Sequence, residues 1–310
     1  MTVGRGLLDT QSAYFASFDP LLPPMPDPPD GDVLTAALPD GTRVAGVLRR
    51  QVHDRTSLVR LWSATEVWEL TPLLGATGGH GMDALLRSWR KAMDRVGTAE
   101  PDSSCVVTWP SRDVSATKAL LAHGLVPLST AAVRRAAPHT EVRASSTLRI
   151  RRARPDDIEA TLQLSLAELS YSSQVGSTMA RPEAAALKRR SLSERLAANG
   201  LVWLAEQDGI AVAMAECAVV RSEPGNGSLT RLPQGRWGYV NCLSVLPGAR
   251  GGGLGQQLMA HVHRELDRMG TVGTYLYYNP PNPLSSVFWP RQGYRPLWTV
   301  WEVRPASALR

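Results

Sequence analysis

The chain has few of the features that mark several protein classes. Cys105, Cys217 and Cys242 are its only cysteines. They are odd in number, far apart and each set in an apolar run, which argues against a disulfide frame or a thiolate metal site and reads as buried thiols. A reducing, cytoplasmic setting suits them. No apolar stretch approaches the roughly 18 residues of a membrane span, and no basic-then-apolar signal peptide opens the sequence. The net charge is +6 over 310 residues, yet the basic residues are scattered without a Lys/Arg block. No nucleic acid and no membrane is therefore expected as a partner, and the charge suits a phosphorylated small molecule. His261 and His263 lie two apart on one predicted helix and diverge, so no metal site is expected.

What is present is organised around residues 237–259. An apolar strand, Tyr239 to Val245, runs into a glycine-rich turn, Pro247 to Gly255, and then into a helix with Leu254, Leu258, Val262 and Leu266 in line. A turn of this kind before a helix gathers unpaired backbone N–H groups at one point, which binds anions. Gly255 is followed by Gln256 and Gln257, so the lysine and hydroxyl of a P-loop are absent. A dinucleotide fingerprint is excluded as well, because no acidic ribose ligand follows about twenty residues on.

The remaining pattern, L-x-V-x-P-x-x-R-x-x-G-x-G, resembles the acyl-CoA loop of the GNAT acetyltransferase superfamily, with Arg250, Gly253 and Gly255 at its fixed positions. The resemblance implies acetyl-CoA as cosubstrate, held by Leu243, Ser244, Val245, Arg250, Gly251, Gly252, Gly253, Leu254 and Gly255. A second segment, Asn279, Asn282 and Ser285 followed by Gly293-Tyr294, resembles the superfamily's other CoA-contacting stretch; Asn282 there reaches the pantetheine arm or simply caps a helix.

The order of elements occurs twice. Shifting Val106–Pro127 forward by 169 places Trp109 on Tyr278, Asp113 on Asn282, Gly124 on Gly293 and Pro127 on Pro296 without a gap. The fold class expected is α/β (α+β): two tandem GNAT-like domains, each a mixed, mostly antiparallel sheet flanked by helices, in a layout similar to that of the mycothiol synthases. Residues 1–31 begin with a short, weakly amphipathic piece around Leu7–Phe18 and read as a proline-rich arm, extended over a surface or loose, and 32–136 as a degenerate copy. Its glycine turn is about one residue shorter, with Ala76 or Thr77 in place of the arginine, and Gly78, Gly79 and Gly81 retain at most weak anion binding. Residues 137–146 read as a linker and 147–310 as the acyl-CoA-binding copy. Ser57–Trp62 reads as a strand, Pro290 as an early helix stop, and the long connection Arg221–Arg236 as an acceptor lid.

The resemblance implies direct acyl transfer to an amine, most simply from acetyl-CoA to a small molecule, with a base, an acid and an oxyanion-stabilising N–H. The positions where relatives carry a catalytic glutamate hold Tyr239 and Asn241, and the usual tyrosine acid is Trp289. Glu216, Glu223 and Tyr278 are the substitutes expected, beside a water-relayed base. A non-catalytic acyl-CoA sensor and a protein-acetylating or scaffolding module are the alternatives.

Overall fold

The computed structural model describes residues 5–96, 100–136, 148–176, 178–223 and 231–310. The expected linker 137–146 and the 224–230 part of the expected lid lie outside the described residues.

The first half runs α1 (Arg5–Phe18), β1 (Asp32–Ala37), β2 (Arg43–Val52), β3 (Glu66–Leu73), α2 (Gly78–Val96), β4 (Ser103–Pro110), α3 (Val114–Ala122) and β5 (Val126–Arg135). The second runs β6 (Leu148–Arg152), α4 (Ile158–Gln174), α5 (Ala184–Ala197), β7 (Leu201–Gln207), β8 (Ile210–Ser222), β9 (Gly235–Val245), α6 (Leu254–Arg268), β10 (Gly273–Tyr278), α7 (Pro283–Arg291) and β11 (Arg295–Val303). The amphipathic faces read from sequence are the buried ones: Leu85, Leu86, Trp89 and Met93 on α2, and Leu254, Leu258, Val262 and Leu266 on α6.

All the strands join one 11-stranded sheet, in the order β1-β2-β3-β4-β11-β5-β10-β9-β8-β7-β6. Among the described residues, only β3–β4 and β9–β10 are parallel pairs. The centre of this order carries a strand exchange. The last strand of each half pairs with the other half: β5 lies along β10, β11 lies along β4, and the two pair with each other. The exchange keeps the repeat's register, for Trp109 faces Thr299 while Tyr278 faces Thr130, and both residues of the second pair are related to the first by the 169-residue shift. Neither half is a closed sheet by itself, because β4 and β10 each take their antiparallel neighbour from the other half.

Three sequence expectations change. The weakly amphipathic piece around Leu7–Phe18 is a full helix, Arg5–Phe18, rather than part of an extended arm, with Phe15 buried edge-on against Trp109 and Trp298 at 5.0 and 5.5 Å. An aromatic side chain buried this way stabilises by about 3 kcal/mol or more. Leu58–Leu61 is a 3-10 turn, not a strand; it inserts fully buried Leu61 against Leu169 of α4 and Leu187 of α5. Pro290 sits in the last turn of α7, which continues one residue to Arg291; the proline cannot donate to the carbonyl four residues back, and the helix ends directly after it.

Polar contacts fasten the halves as well. Arg181, between α4 and α5, donates to both carboxylate oxygens of Asp102 at 2.6 and 3.1 Å and to the backbone of Arg60 and Ser63. Burial opposes charge on Asp102, but the bonds from Arg181 and Thr65 outweigh it and hold the carboxyl down to about 2 from 3.8. A depressed carboxyl contributes stability above its unfolded pKa and loses it as pH falls through the folded value. Asp102→Asn is expected to lower the melting temperature at neutral pH, with the gap to wild type closing between about pH 4 and 2. A thermal melt series over that range checks it.

The exchange gives a second prediction. Residues 148–310 expressed alone leave an edge of β10 and all of β11 unpaired, so the fragment is expected to aggregate and to become soluble when 5–136 is co-expressed. A monomeric, cooperatively melting 148–310 fragment would contradict the exchange.

Candidate active site

The site begins where two strands part. β9 and β10 pair from Trp237/Gly273 to Val240/Leu276 and then separate. On the other side of β9, Cys217 faces Val240 and Glu216 faces Cys242, so Asn241 is an extra residue with no partner opposite. Such a bulge bends its strand and sharpens the local twist. Cys242–Val245 stay with β8 and leave β10, whereas Tyr277 and Tyr278 stay with β5. The only sequence sign of the bulge is a lone asparagine in an apolar run.

A cleft of about 430 Å³ opens at the parting. Leu243, Ser244 and Val245 form one wall and Tyr277 and Tyr278 the other; Asn279, Asn282, Ser285 and Trp289 line it from the α7 side. Arg250, Gly251, Gly253, Leu254 and Gly255 line it from the turn that leads into α6. Gly253, with φ at +74°, is the N-cap of α6, and Gly251 has φ at +91°. Both conformations favour glycine. The first bond inside α6 runs from the Gln257 N–H to the Gly253 carbonyl at 3.0 Å, so the Leu254, Gly255 and Gln256 amides precede it at the positive end of the helix. Arg250 Nε donates to the Val245 carbonyl at 3.0 Å, and its guanidinium lies 5.3 Å over the Tyr171 ring.

Residues 166–294 match the model of the Acetyltransferase (GNAT) family. The second half of the chain carries a GNAT domain. No curated protein matches the chain. Among solved structures, a GCN5-related N-acetyltransferase from Sphaerobacter thermophilus is similar with a TM-score of 0.55 and 15% identity, over 88% of this chain and 82% of its own, so the likeness in fold spans both halves. A predicted acetyltransferase with acetyl-CoA from Clostridium acetobutylicum aligns over 48% of this chain and 90% of its own at 20% identity and TM-score 0.38. PaiA N-acetyltransferase from Thermoplasma acidophilum, in complex with coenzyme A, aligns over 51% and 98% at 13% identity and TM-score 0.39.

The first half repeats the GNAT geometry and fills it with its own chain. β3 and β4 pair through Leu70/Val107 and then part, as β9 and β10 do. Into that gap α1 places Gln11, fully buried, whose Nε2 donates to the Pro72 carbonyl at 3.0 Å and whose Oε1 accepts from the Leu74 N–H at 2.6 Å. Counted from the parting, and allowing for the extra Asn241, Pro72 and Leu74 correspond to Leu243 and Val245. The turn that follows has four residues, 74–77, against eight, 246–253, in the second half, a larger shortening than the single residue expected from sequence. The Gly79 amide is bonded to Ser115 Oγ at 3.1 Å. Asp113, 1% exposed, accepts from Tyr14, Trp109, Ser115 and the Ala116 amide. A carboxylate thus already occupies this helix-end region, and its charge repels a phosphate. At the corresponding position the GNAT domain has neutral Asn282.

The residues singled out from sequence separate into two groups. Tyr278 lines the cleft, hydrogen-bonded to Thr130 of β5, with burial raising its pKa. Asn282 Oδ1 caps α7 by accepting from the Leu284 and Ser285 amides at 3.0 and 3.1 Å, so the helix-cap role is present. Asn279 Nδ2 donates to the Leu128 carbonyl at 2.8 Å, tying the cleft to the exchanged strand, and Ser285 Oγ donates to the Asn279 carbonyl at 3.3 Å. Glu216 is not among the cleft-lining residues: it is 3% exposed and paired with Arg195 Nε at 2.8 Å. Glu223 is exposed, paired with Arg221 at 3.1 Å, and lies just past the end of β8 that pairs with the start of β9 at Gly235, far along the strands from Val245. Tyr239 stacks on Tyr275 with centroids 4.7 Å apart, and burial raises the pKa of both.

Sequence reasoning missed Glu168. It lies half-buried on α4, in line at helical spacing with the buried polar residues Thr161, Ser165 and Ser172, and it lines the cleft. That stripe was the available signal. The Ser172 hydroxyl donates to Glu168 Oε1 at 2.6 Å.

Because the turn amides and the Arg250 cation occur in the second half alone, Arg250→Ala combined with Gly253→Val is expected to weaken acetyl-CoA binding by tenfold or more. Valine at a positive φ strains the turn by roughly 1–2 kcal/mol, and a cation is lost. Thr77→Ala in the first half is expected to leave the affinity unchanged. Isothermal titration calorimetry on both variants checks it, and equal losses would contradict a one-site account.

Proposed function

We propose that the chain is an acyl-CoA-dependent N-acyltransferase that moves an acyl group, acetyl in the simplest case, onto an amine of a small molecule. The observation that carries this reading is the parting of β9 and β10 beside the α6 turn, which puts an unpaired strand edge and a set of helix-end amides on one cleft.

The cleft fits an acyl-CoA on two counts. Cβ atoms built on Gly251 and Gly252 meet nothing within 4 Å, so the turn backbone is open to close approach by phosphate oxygens. The first half supplies a template for the arm, since the Gln11 carboxamide makes with Pro72 and Leu74 the two bonds that a pantetheine amide would make with Leu243 and Val245. Arg250 and the Leu254–Gln256 amides would hold the diphosphate, and backbone N–H groups near the bulge would face the thioester oxygen. Oriented reactants alone recover about 7 kcal/mol or more of a barrier, so much of the acceleration comes from these contacts.

Tyr278 is the group we assign to protonating the CoA thiolate. Its hydroxyl must be protonated to act, so activity falls as pH rises through its raised pKa. The test is thiol release from acetyl-CoA over a panel of polyamines, amino sugars and arylalkylamines. Turnover on at least one is expected, with Tyr278→Phe losing the alkaline limb of the kcat/KM profile and Glu223→Gln keeping the wild-type profile. Acetyl-CoA binding without turnover on any amine would favour a sensor instead.

A further inference from the structure

Among the described residues, Glu168 is the only acidic side chain lining the cleft, and Arg250 is the only basic one. The two mark different parts of it. Arg250 belongs to the turn at the head of α6. Glu168 faces β9 near the bulge, where its charge is the largest electrostatic influence on the buried Cys242 thiol, after burial itself.

The closed cleft of the first half fixes a direction along β9. If an amide-bearing arm leaves the turn and bonds to Val245 and then Leu243, as Gln11 bonds to Leu74 and Pro72, its next atoms travel toward Asn241 and Cys242. The thioester of an acyl-CoA therefore reaches the strand where Glu168 faces it. The acid common on the bulged strand in relatives is replaced here by Tyr239 and Asn241, and the carboxyl comes from the helix across the cleft.

We propose that Glu168 is the general base of the transfer, an assignment that rests on the N-acyltransferase reading. As the amine nitrogen bonds to the thioester carbonyl carbon, the carbonyl electron pair moves onto oxygen and an amine proton passes to the Glu168 carboxylate. Collapse breaks the C–S bond, and the electron pair leaves with sulfur. Tyr278 protonates the thiolate, and the proton on Glu168 returns to the Tyr278 phenolate through solvent. Both groups are restored, and the products are the amide and CoA.

The surroundings suit a base of moderate strength. Burial raises the Glu168 pKa; Ser172 on α4 and Lys188 on α5 lower it, and Glu216 on β8 raises it. Glu216 is itself paired with Arg195 of α5, and Lys188 is 3% exposed with Nζ 4.6 Å from the Trp62 ring. Tyr171 of α4, Cys242 of β9 and Tyr277 of β10 complete the titratable groups at this part of the cleft. Lys188 gives Glu168 a structural partner too, so the test must separate a base from a buried counter-ion.

The test uses the full chain and two measurements. In the first, acetyl-CoA is titrated calorimetrically in buffers of different ionisation heat between about pH 5 and 8. A thioester seated against Glu168 displaces water, disfavours the charged carboxylate and draws a proton onto it. Wild type is expected to take up protons on binding; Glu168→Gln is expected to bind within about threefold of wild type and take up none. In the second, thiol release is followed with spermidine, kanamycin and tryptamine as acceptor probes. Glu168→Gln is expected to lower kcat by about 10²- to 10⁴-fold and to lose the acidic limb, with little change in the KM for acetyl-CoA. Glu168→Asp should recover part of the rate with the limb restored. Unchanged proton uptake in Glu168→Gln, or a wild-type pH profile in that variant, would each overturn the assignment; binding without turnover on all three amines would count against the acyl-transfer reading itself. Failure of wild type to bind acetyl-CoA would instead overturn the reading on which it rests.

Discussion

A β-strand buried in a sheet must satisfy its backbone on both edges, and in this chain that requirement is met by exchange. β4 and β10 each stand at the end of a parallel pair and need an antiparallel neighbour. Each takes it from the opposite half, as β11 and β5 respectively, and the two donated strands pair with one another at the centre of the sheet. The cost of leaving any of these ladders unpaired is a row of unsatisfied N–H and C=O groups, so the halves are bound by backbone hydrogen bonds as well as by side-chain packing. One wall of the cleft inherits this arrangement, because Tyr278 and Asn279 bond to Thr130 and Leu128 of the first half. The half without an open cleft is thus a structural part of the half that has one.

The two halves show one geometry put to opposite uses. In each, a parallel pair ends and its strands diverge, exposing main-chain groups that need partners. In the first half Gln11 supplies them, Phe15 fills the space between Trp109 and Trp298, and Asp113 places a negative charge by the helix end. In the second half an inserted residue, Asn241, widens the divergence, eight residues of turn replace four, and a neutral Asn282 stands where Asp113 would be. A few changes of length and charge therefore decide whether the gap is filled by the chain or left open to a ligand.

Charge placement follows the same logic. Glu216 is buried against Arg195, where its carboxylate is neutralised by a partner. Glu168 shares its neighbourhood with Lys188 but also reaches the cleft, and burial pushes its carboxyl upward rather than down. Between Glu216, buried on β8, and half-buried Glu168 on α4, access to the cleft distinguishes the one able to meet a substrate.

The sequence by itself determined the local elements and the repeat. The glycine turn, the Asn282 and Asp113 caps, the buried faces of α2 and α6 and the 169-residue register all rest on local periodicity and turn chemistry, which act within a few residues along the chain. Tertiary structure alone decided which strand pairs with which. β5 and β11 have equivalent patterns, and nothing local tells a strand whether its partner lies in its own half. It alone decided that α1 would close the first cleft, since Gln11 is an ordinary polar residue until the unpaired groups of Pro72 and Leu74 face it. It also decided which acid meets the cleft. Glu216, Glu223 and Glu168 are alike as letters, and only the bulge at Asn241 and the packing of α4 on β9 put one of them at the opening while the others pair with arginines.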